Sequence, residues 1–151
     1  MDNNWQEKSV LVAGLGSIGQ RHTRVLHEAG VKTIYVCDAA DCTALKTAET
    51  YPGVIPVASY EDGLARRPDA VFILTPPKLH VPMAIQAARQ GCQIFCEKPV
   101  AEDMHRIGEL RQVLNETGAT FAVGLCFRYH AGVQRLKALV DGGRIGRPVH
   151  I

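Results

Sequence analysis

Val10-Leu11-Val12-Ala13-Gly14-Leu15-Gly16-Ser17-Ile18-Gly19 is the stretch whose reading decides the fold. An apolar run stops at a glycine-rich turn and continues as an amphipathic helix. The spacing Gly14-x-Gly16-x-x-Gly19 is the fingerprint of a dinucleotide-binding strand–turn–helix. Gly14 permits the tight turn out of the strand. Gly16 lets backbone approach a pyrophosphate with no Cβ in the way. Gly19 lets the helix pack closely on the strand. Leu15, Ser17 and Ile18 fill the turn and the helix start, where free N–H groups and the positive end of the helix dipole favour phosphate. Glycines also cluster in ordinary turns, so the motif needs support from the remainder of the chain.

Outward from this turn, strand and helix patterns alternate to the end of the chain. Lys8–Ala13 is apolar on both faces, as in a buried parallel strand. The spacing predicts a helix from Ser17 to Ala29, with Ile18, His22, Val25, Leu26 and Ala29 inward. Further strands are expected at Val31–Cys37, Val54–Val57, Ala70–Leu74, Gln93–Cys96 and Thr120–Gly124. Pro56 confines the third strand to a sheet edge. Helices are expected from Asp41 to Thr50, and from a capping box at Ser59-Tyr60-Glu61-Asp62. Three more are expected over Leu79–Gln90, Glu102–Glu116 and Ala131–Val140, with Val133, Leu136, Leu139 and Val140 inward in the last. This alternation dictates an α/β fold: a doubly wound parallel sheet of about six strands, with helices on both faces. Val149-His150-Ile151 reads as the start of another strand, which suggests that the sequence stops at a domain boundary.

The 151 residues suggest one domain, and a composition 46% hydrophobic and 21% charged is that of an ordinary globular protein. A net charge of +2 argues against a nucleic-acid or membrane partner attracted by bulk charge. No apolar run reaches the roughly 18 residues that span a bilayer. The polar Met1–Lys8 lacks a signal-peptide core. Cys37, Cys42, Cys92, Cys96 and Cys126 form no C-x-x-C pair. They read as reduced core thiols of a cytoplasmic protein, with no metal site.

In a doubly wound sheet, ligands bind beyond the carboxyl ends of the strands. After the second strand comes Asp38, roughly 20 residues beyond Gly19, where a carboxylate accepts hydrogen bonds from an adenosine ribose. An acid there favours NAD over NADP, because it repels a 2′-phosphate. The plainer reading is a turn cap shared with Asp41. After the fourth strand stand Thr75-Pro76-Pro77, a rigid wall for the nicotinamide half or simply a strand-stopping loop. His80 behind them is a donor to substrate or cofactor, or else a capping residue. After the fifth strand come Glu97-Lys98-Pro99, and the Lys98 ammonium can reach into the cleft and stabilise the oxyanion-like charge of hydride transfer. After the sixth strand, Arg128 and Tyr129 can line the same cleft, whereas His130 fits a helix start. Arg21 and Arg24 read as solvated surface.

Taken together, Gly14 to Gly19, Thr75-Pro76-Pro77 with His80, Glu97-Lys98-Pro99, Phe127-Arg128-Tyr129 and the closing Gly143-Arg144-Ile145-Gly146-Arg147-Pro148-Val149 carry a resemblance. The chain resembles the glucose-fructose oxidoreductase / inositol dehydrogenase / MocA family from about Lys8 to Ile151. The resemblance implies an N-terminal Rossmann domain that binds NAD(P). It also implies a separate C-terminal domain that supplies substrate binding and the oligomer interface, and this domain is absent from these 151 residues. It implies oxidation or reduction of a sugar or cyclitol hydroxyl. Lys98 then matches the family's active-site lysine, Glu97 its cofactor-side carboxylate, and Lys98-Pro99 a candidate cis peptide.

The leading expectation is therefore the NAD-binding domain of an oxidoreductase, not a complete catalyst by itself. The competing expectation is a non-catalytic nucleotide-sensing or interaction module of the same fold. A methyltransferase-like domain fits Gly19 and Glu97-Lys98-Pro99 less well.

Overall fold

The computed structural model describes residues 5–147 and Val149. Six parallel strands form one sheet in the order β3-β2-β1-β4-β5-β6. They are β1 Ser9–Ala13, β2 Thr33–Cys37, β3 Val54–Pro56, β4 Ala70–Ile73, β5 Gln93–Cys96 and β6 Phe121–Val123. The helices are α1 Ser17–Glu28, α2 Asp41–Thr50, α3 Tyr60–Ala65, α4 His80–Arg89, α5 Ile107–Thr117 and α6 Ala131–Asp141. β3, with its proline, lies at the edge the sequence predicts. The order reverses between β1 and β4, whose registered pairs run from Val10–Ala70 to Ala13–Ile73.

Side-chain alternation along the strands divides the core in two. Leu11, Ala13, Val71, Ile73, Ile94 and Cys96 face the layer of α3, α4 and α5. Val10, Val12, Ile34, Val36 and Val54 face that of α1 and α2. β1 is therefore buried on both faces, and β4 is buried on one face and half-buried on the other, in keeping with their unbroken apolar runs.

Four expectations from the sequence need correction. In α1 the buried residues are Gly19 and Thr23, while Ile18 and Val25 are 42% and 47% exposed and Ala29 is also exposed. Close approach at Gly19 turns the smallest side chains toward the sheet. The Thr23 hydroxyl satisfies itself by donating to the Gly19 carbonyl, 2.9 Å away. α5 starts at Ile107 rather than Glu102, because Arg106 sits in the left-handed region at φ +59° and ends any helix upstream. α6 is present, but Val133 and Leu136 are exposed and Leu139 and Val140 are only half-buried. Lastly, Cys42 and Cys126 are exposed. Cys37, Cys92 and Cys96 are core thiols as expected, and burial pushes Cys37 and Cys96 up to about 12.

The strand expected at Val149–Ile151 lies outside the described residues except for Val149, which has no regular structure. Among the described residues, no helix is long and apolar enough to cross a membrane, and no cluster of His, Cys, Asp and Glu is arranged to hold a metal.

Candidate functional site

The carboxyl edge of the sheet brings most of the singled-out residues together. Gly14 leaves β1 at φ +91°, and its N–H donates to the Cys37 carbonyl of β2 at 2.9 Å. A Cβ on Gly14 would stand 2.7 Å from the Leu74 carbonyl oxygen beyond β4. At Gly19 the crowding is greater: a Cβ there would lie 1.9 Å from the Gly14 carbonyl oxygen. Gly16 differs, since an added Cβ would meet nothing within 4 Å. Its surroundings are open, and it caps α1 with no side-chain hydrogen bond. The first-turn N–H groups, at Ser17, Ile18 and Gly19, have no helical partner and face this opening with the helix dipole behind them.

Asp38 lies beside this turn, half-buried at the end of β2. One carboxylate oxygen accepts from the Leu15 N–H at 2.6 Å, and the other accepts from the Ala40 N–H at 2.9 Å. The carboxylate thus closes its own turn and also braces the glycine loop. The two sequence readings of Asp38 are compatible, since each oxygen keeps lone-pair capacity for a further donor. α2 begins at Asp41.

A cleft of about 680 Å³ opens between this turn and α4. Its walls include Gly14, Asp38, Tyr60, Thr75, Pro76, Met83 and Gln86. Sequence reasoning missed Tyr60, Met83 and Gln86. Tyr60 is in the capping box, where the Ser59 hydroxyl does accept from the Asp62 N–H at 3.0 Å. The Tyr60 hydroxyl donates to the Met83 carbonyl at 2.8 Å, and burial pushes its pKa up. Pro82 and Gln86 stand one turn apart on the cleft side of α4.

On the other side of the switch point, β5 delivers Glu97 and Lys98. Glu97 bends back so that one carboxylate oxygen accepts from the Lys98 N–H at 2.7 Å. Gly124, past β6, leaves it room: a Cβ there would stand 3.1 Å from the other oxygen. Lys98 is exposed, and among the described residues its ammonium has no hydrogen-bond or ion-pair partner. The Lys98-Pro99 bond is cis. Pro77 opens a short 3-10 turn leading into α4.

His80 is 1% exposed, so it is neither the solvated residue nor the direct donor to a ligand that the sequence left open. Its Nδ1 lies 2.8 Å from the Pro99 carbonyl oxygen and its Nε2 lies 2.7 Å from that of Thr75. His130 caps α6, accepting from the Gly132 N–H at 3.2 Å. Arg128 and Tyr129 lie exposed on the 3-10 turn Cys126–Tyr129 at the same sheet edge, without lining the cleft. Arg21 and Arg24 are exposed.

His22, on α1, is in contact with rings of β4 and β5. Its centroid lies 5.7 Å from Phe72 and 5.1 Å from Phe95, which are themselves stacked at 4.8 Å. Burial lowers the His22 pKa, and the charge of Glu97 partly opposes that.

Residues 8–125 match the GFO_IDH_MocA family, described as an oxidoreductase family with an NAD-binding Rossmann fold. The D-xylose 1-dehydrogenase [NADP(+)] of Haloarcula marismortui is 35% identical over 114 residues, 75% of this chain and 31% of that protein. The scyllo-inositol 2-dehydrogenase (NAD(+)) of Bacillus subtilis is 32% identical over 143 residues, 92% of this chain and 42% of that protein. The crystal structure of myo-inositol 2-dehydrogenase from Lactobacillus plantarum superimposes with a TM-score of 0.86 at 29% identity, over 93% of this chain and 42% of that one. The chain thus spans less than half the length of these relatives.

Proposed function

The chain belongs to the GFO/IDH/MocA oxidoreductase family, and from that premise we propose that residues 1–151 are its cofactor domain, binding NAD for hydride exchange with a sugar- or cyclitol-like alcohol or ketone. The observation that carries this reading is the contrast within one motif. Gly14 and Gly19 are packed against backbone, whereas Gly16 faces open space at an uncapped helix N-terminus. That is a cradle a single Cβ would obstruct, and it fits a pyrophosphate.

The residues divide the work along the sheet edge. N–H groups of Gly16 to Gly19 hold phosphate, and the Asp38 carboxylate takes ribose hydroxyl donors on the adenosine side. The cleft walls at Tyr60, Met83 and Gln86 enclose the adenosine end. Thr75, Pro76 and Pro77 flank the pyrophosphate–nicotinamide stretch. When bound, the nicotinamide ring supplies or accepts the hydride. Lys98 donates a hydrogen bond from Nζ to the substrate oxygen and stabilises its negative charge as the C–O bond changes order. Glu97 fixes the Lys98 backbone through the 2.7 Å bond to its N–H. Arg128 adds a positive charge at the same edge.

NAD rather than NADP is favoured because a 2′-phosphate would meet the Asp38 carboxylate, which has no neutralising side-chain partner among the described residues. The Haloarcula and Bacillus relatives include both an NADP and an NAD user by name, so the preference rests on Asp38. Calorimetric titration of the chain with NADH and NADPH tests the proposal. NADH binds, and Asp38→Ala weakens NADH more than NADPH. Absence of NADH binding at millimolar concentration overturns the cofactor reading, and equal losses overturn the role of Asp38.

A further inference from the structure

We infer that His80 is a positioning residue, protonated on both ring nitrogens, that ties the loop after β4 to the loop after β5 and thereby sets Lys98 against the nicotinamide end of the site. This rests on the cofactor reading for what Lys98 faces. The state of the ring itself rests on geometry alone.

The two partners of the ring are both backbone carbonyl oxygens, Pro99 at 2.8 Å from Nδ1 and Thr75 at 2.7 Å from Nε2. A carbonyl oxygen can only accept. A neutral imidazole carries one N–H, so either tautomer would leave a nitrogen lone pair pointing at an oxygen lone pair at hydrogen-bond distance. Only the imidazolium makes both bonds. Among the described residues no carboxylate forms an ion pair with it. The N-terminus of α4 disfavours a cation. The two charge-assisted bonds are therefore what holds the proton on a side chain only 1% exposed.

The placement gives the bonds a purpose. Thr75 leaves β4, one strand from the glycine turn, and Pro99 directly follows Lys98 beyond β5. The main-chain pairing of these two strands stops at Ile73 and Cys96, apart from the Glu97 N–H donating to the Ile73 carbonyl at 3.0 Å. Beyond that point no main-chain hydrogen bond joins the two loops among the described residues, and the His80 ring contacts both. The ring does not line the cleft, so it acts through the backbone of residues that do.

The test has two arms on the 151-residue chain. The first needs no variant to fold: the ring-nitrogen spectrum of nitrogen-15-histidine-labelled protein at neutral pH. Two protonated nitrogens and two slowly exchanging N–H signals are expected for His80. One unprotonated, imine-type nitrogen overturns the proposal. The second arm compares NADH with ADP-ribose, which lacks the nicotinamide, in wild type and His80→Gln. Glutamine can donate to one carbonyl while its oxygen faces the other. NADH affinity should fall about tenfold, the scale of one lost charge-assisted bond, with ADP-ribose changed much less. Equal losses for both mean general unfolding and overturn the positioning role. If wild type binds neither ligand, the cofactor reading fails, and the spectrum still decides the state of His80.

Discussion

Gly19→Ala puts one methyl group where the structure has no space. The added Cβ would lie 1.9 Å from the Gly14 carbonyl oxygen and 2.8 Å from its carbonyl carbon. Both are backbone atoms in a turn whose own φ is +91°, so neither can swing aside as a side chain would. Relief requires α1 to move off the sheet by about 1.5 Å, the shortfall from ordinary carbon–oxygen contact. That loosens Thr23 and the Leu26 contact with the core below it. Overpacking of this kind costs about 3 kcal/mol. The better helix propensity of alanine returns at most about 1 kcal/mol. The net loss of about 2 kcal/mol corresponds to a fall in Tm of roughly 4–8 °C for a chain of this size. Gly16→Ala is the control within the same motif. Its Cβ meets nothing within 4 Å and its φ of −62° suits alanine, so Tm should stay within a degree or two of wild type while NADH binding is lost. Thermal unfolding followed by circular dichroism, together with NADH titration, reads both quantities. A Gly19→Ala chain with the wild-type Tm would refute the packing argument. A Gly16→Ala chain that binds NADH normally would refute the phosphate cradle.

Single contacts elsewhere in the fold carry further expectations. Ser59→Ala removes the oxygen that accepts from the Asp62 N–H and should cost about 1 kcal/mol, seen as a shifted urea midpoint with unchanged m. His22 favours its neutral form in the folded state, so it binds a proton less readily there than in the unfolded chain. Stability should therefore fall as pH drops below the ordinary histidine value of about 6.5, until the folded state protonates as well. In His22→Leu that part of the acid sensitivity disappears, measured as the Tm difference between neutral and mildly acidic buffer. An unchanged difference would mean the ring is not desolvated by Phe72 and Phe95.

The residues that form the turn were legible because each has a local physical requirement. Gly14, Gly16 and Gly19 are needed for backbone geometry, Pro56 excludes a central strand, and Asp38 comes where β2 ends. Lys98 is singled out in the sequence by its place after the fifth strand, since the carboxyl ends of parallel strands form the edge where ligands bind in such sheets. His80 was named but its role was not, because the carbonyls of Thr75 and Pro99 come together only once β4 and β5 are paired. Tyr60, Met83 and Gln86 belong to ordinary helical patterns, and nothing local marks them as cleft walls.

Sequence by itself determined the alternation of strand and helix, the parallel sheet and the glycine turn after β1, because these stem from hydrophobic period, glycine and proline. Tertiary structure decided which side of α1 meets the sheet. Apolar spacing predicted Ile18 and Val25 inward on α1, yet Gly19 and Thr23 are the buried pair. A period identifies a stripe, but how closely two backbones approach sets which stripe is buried. In α1 that distance is set by the missing Cβ of Gly19, against the carbonyl of Gly14.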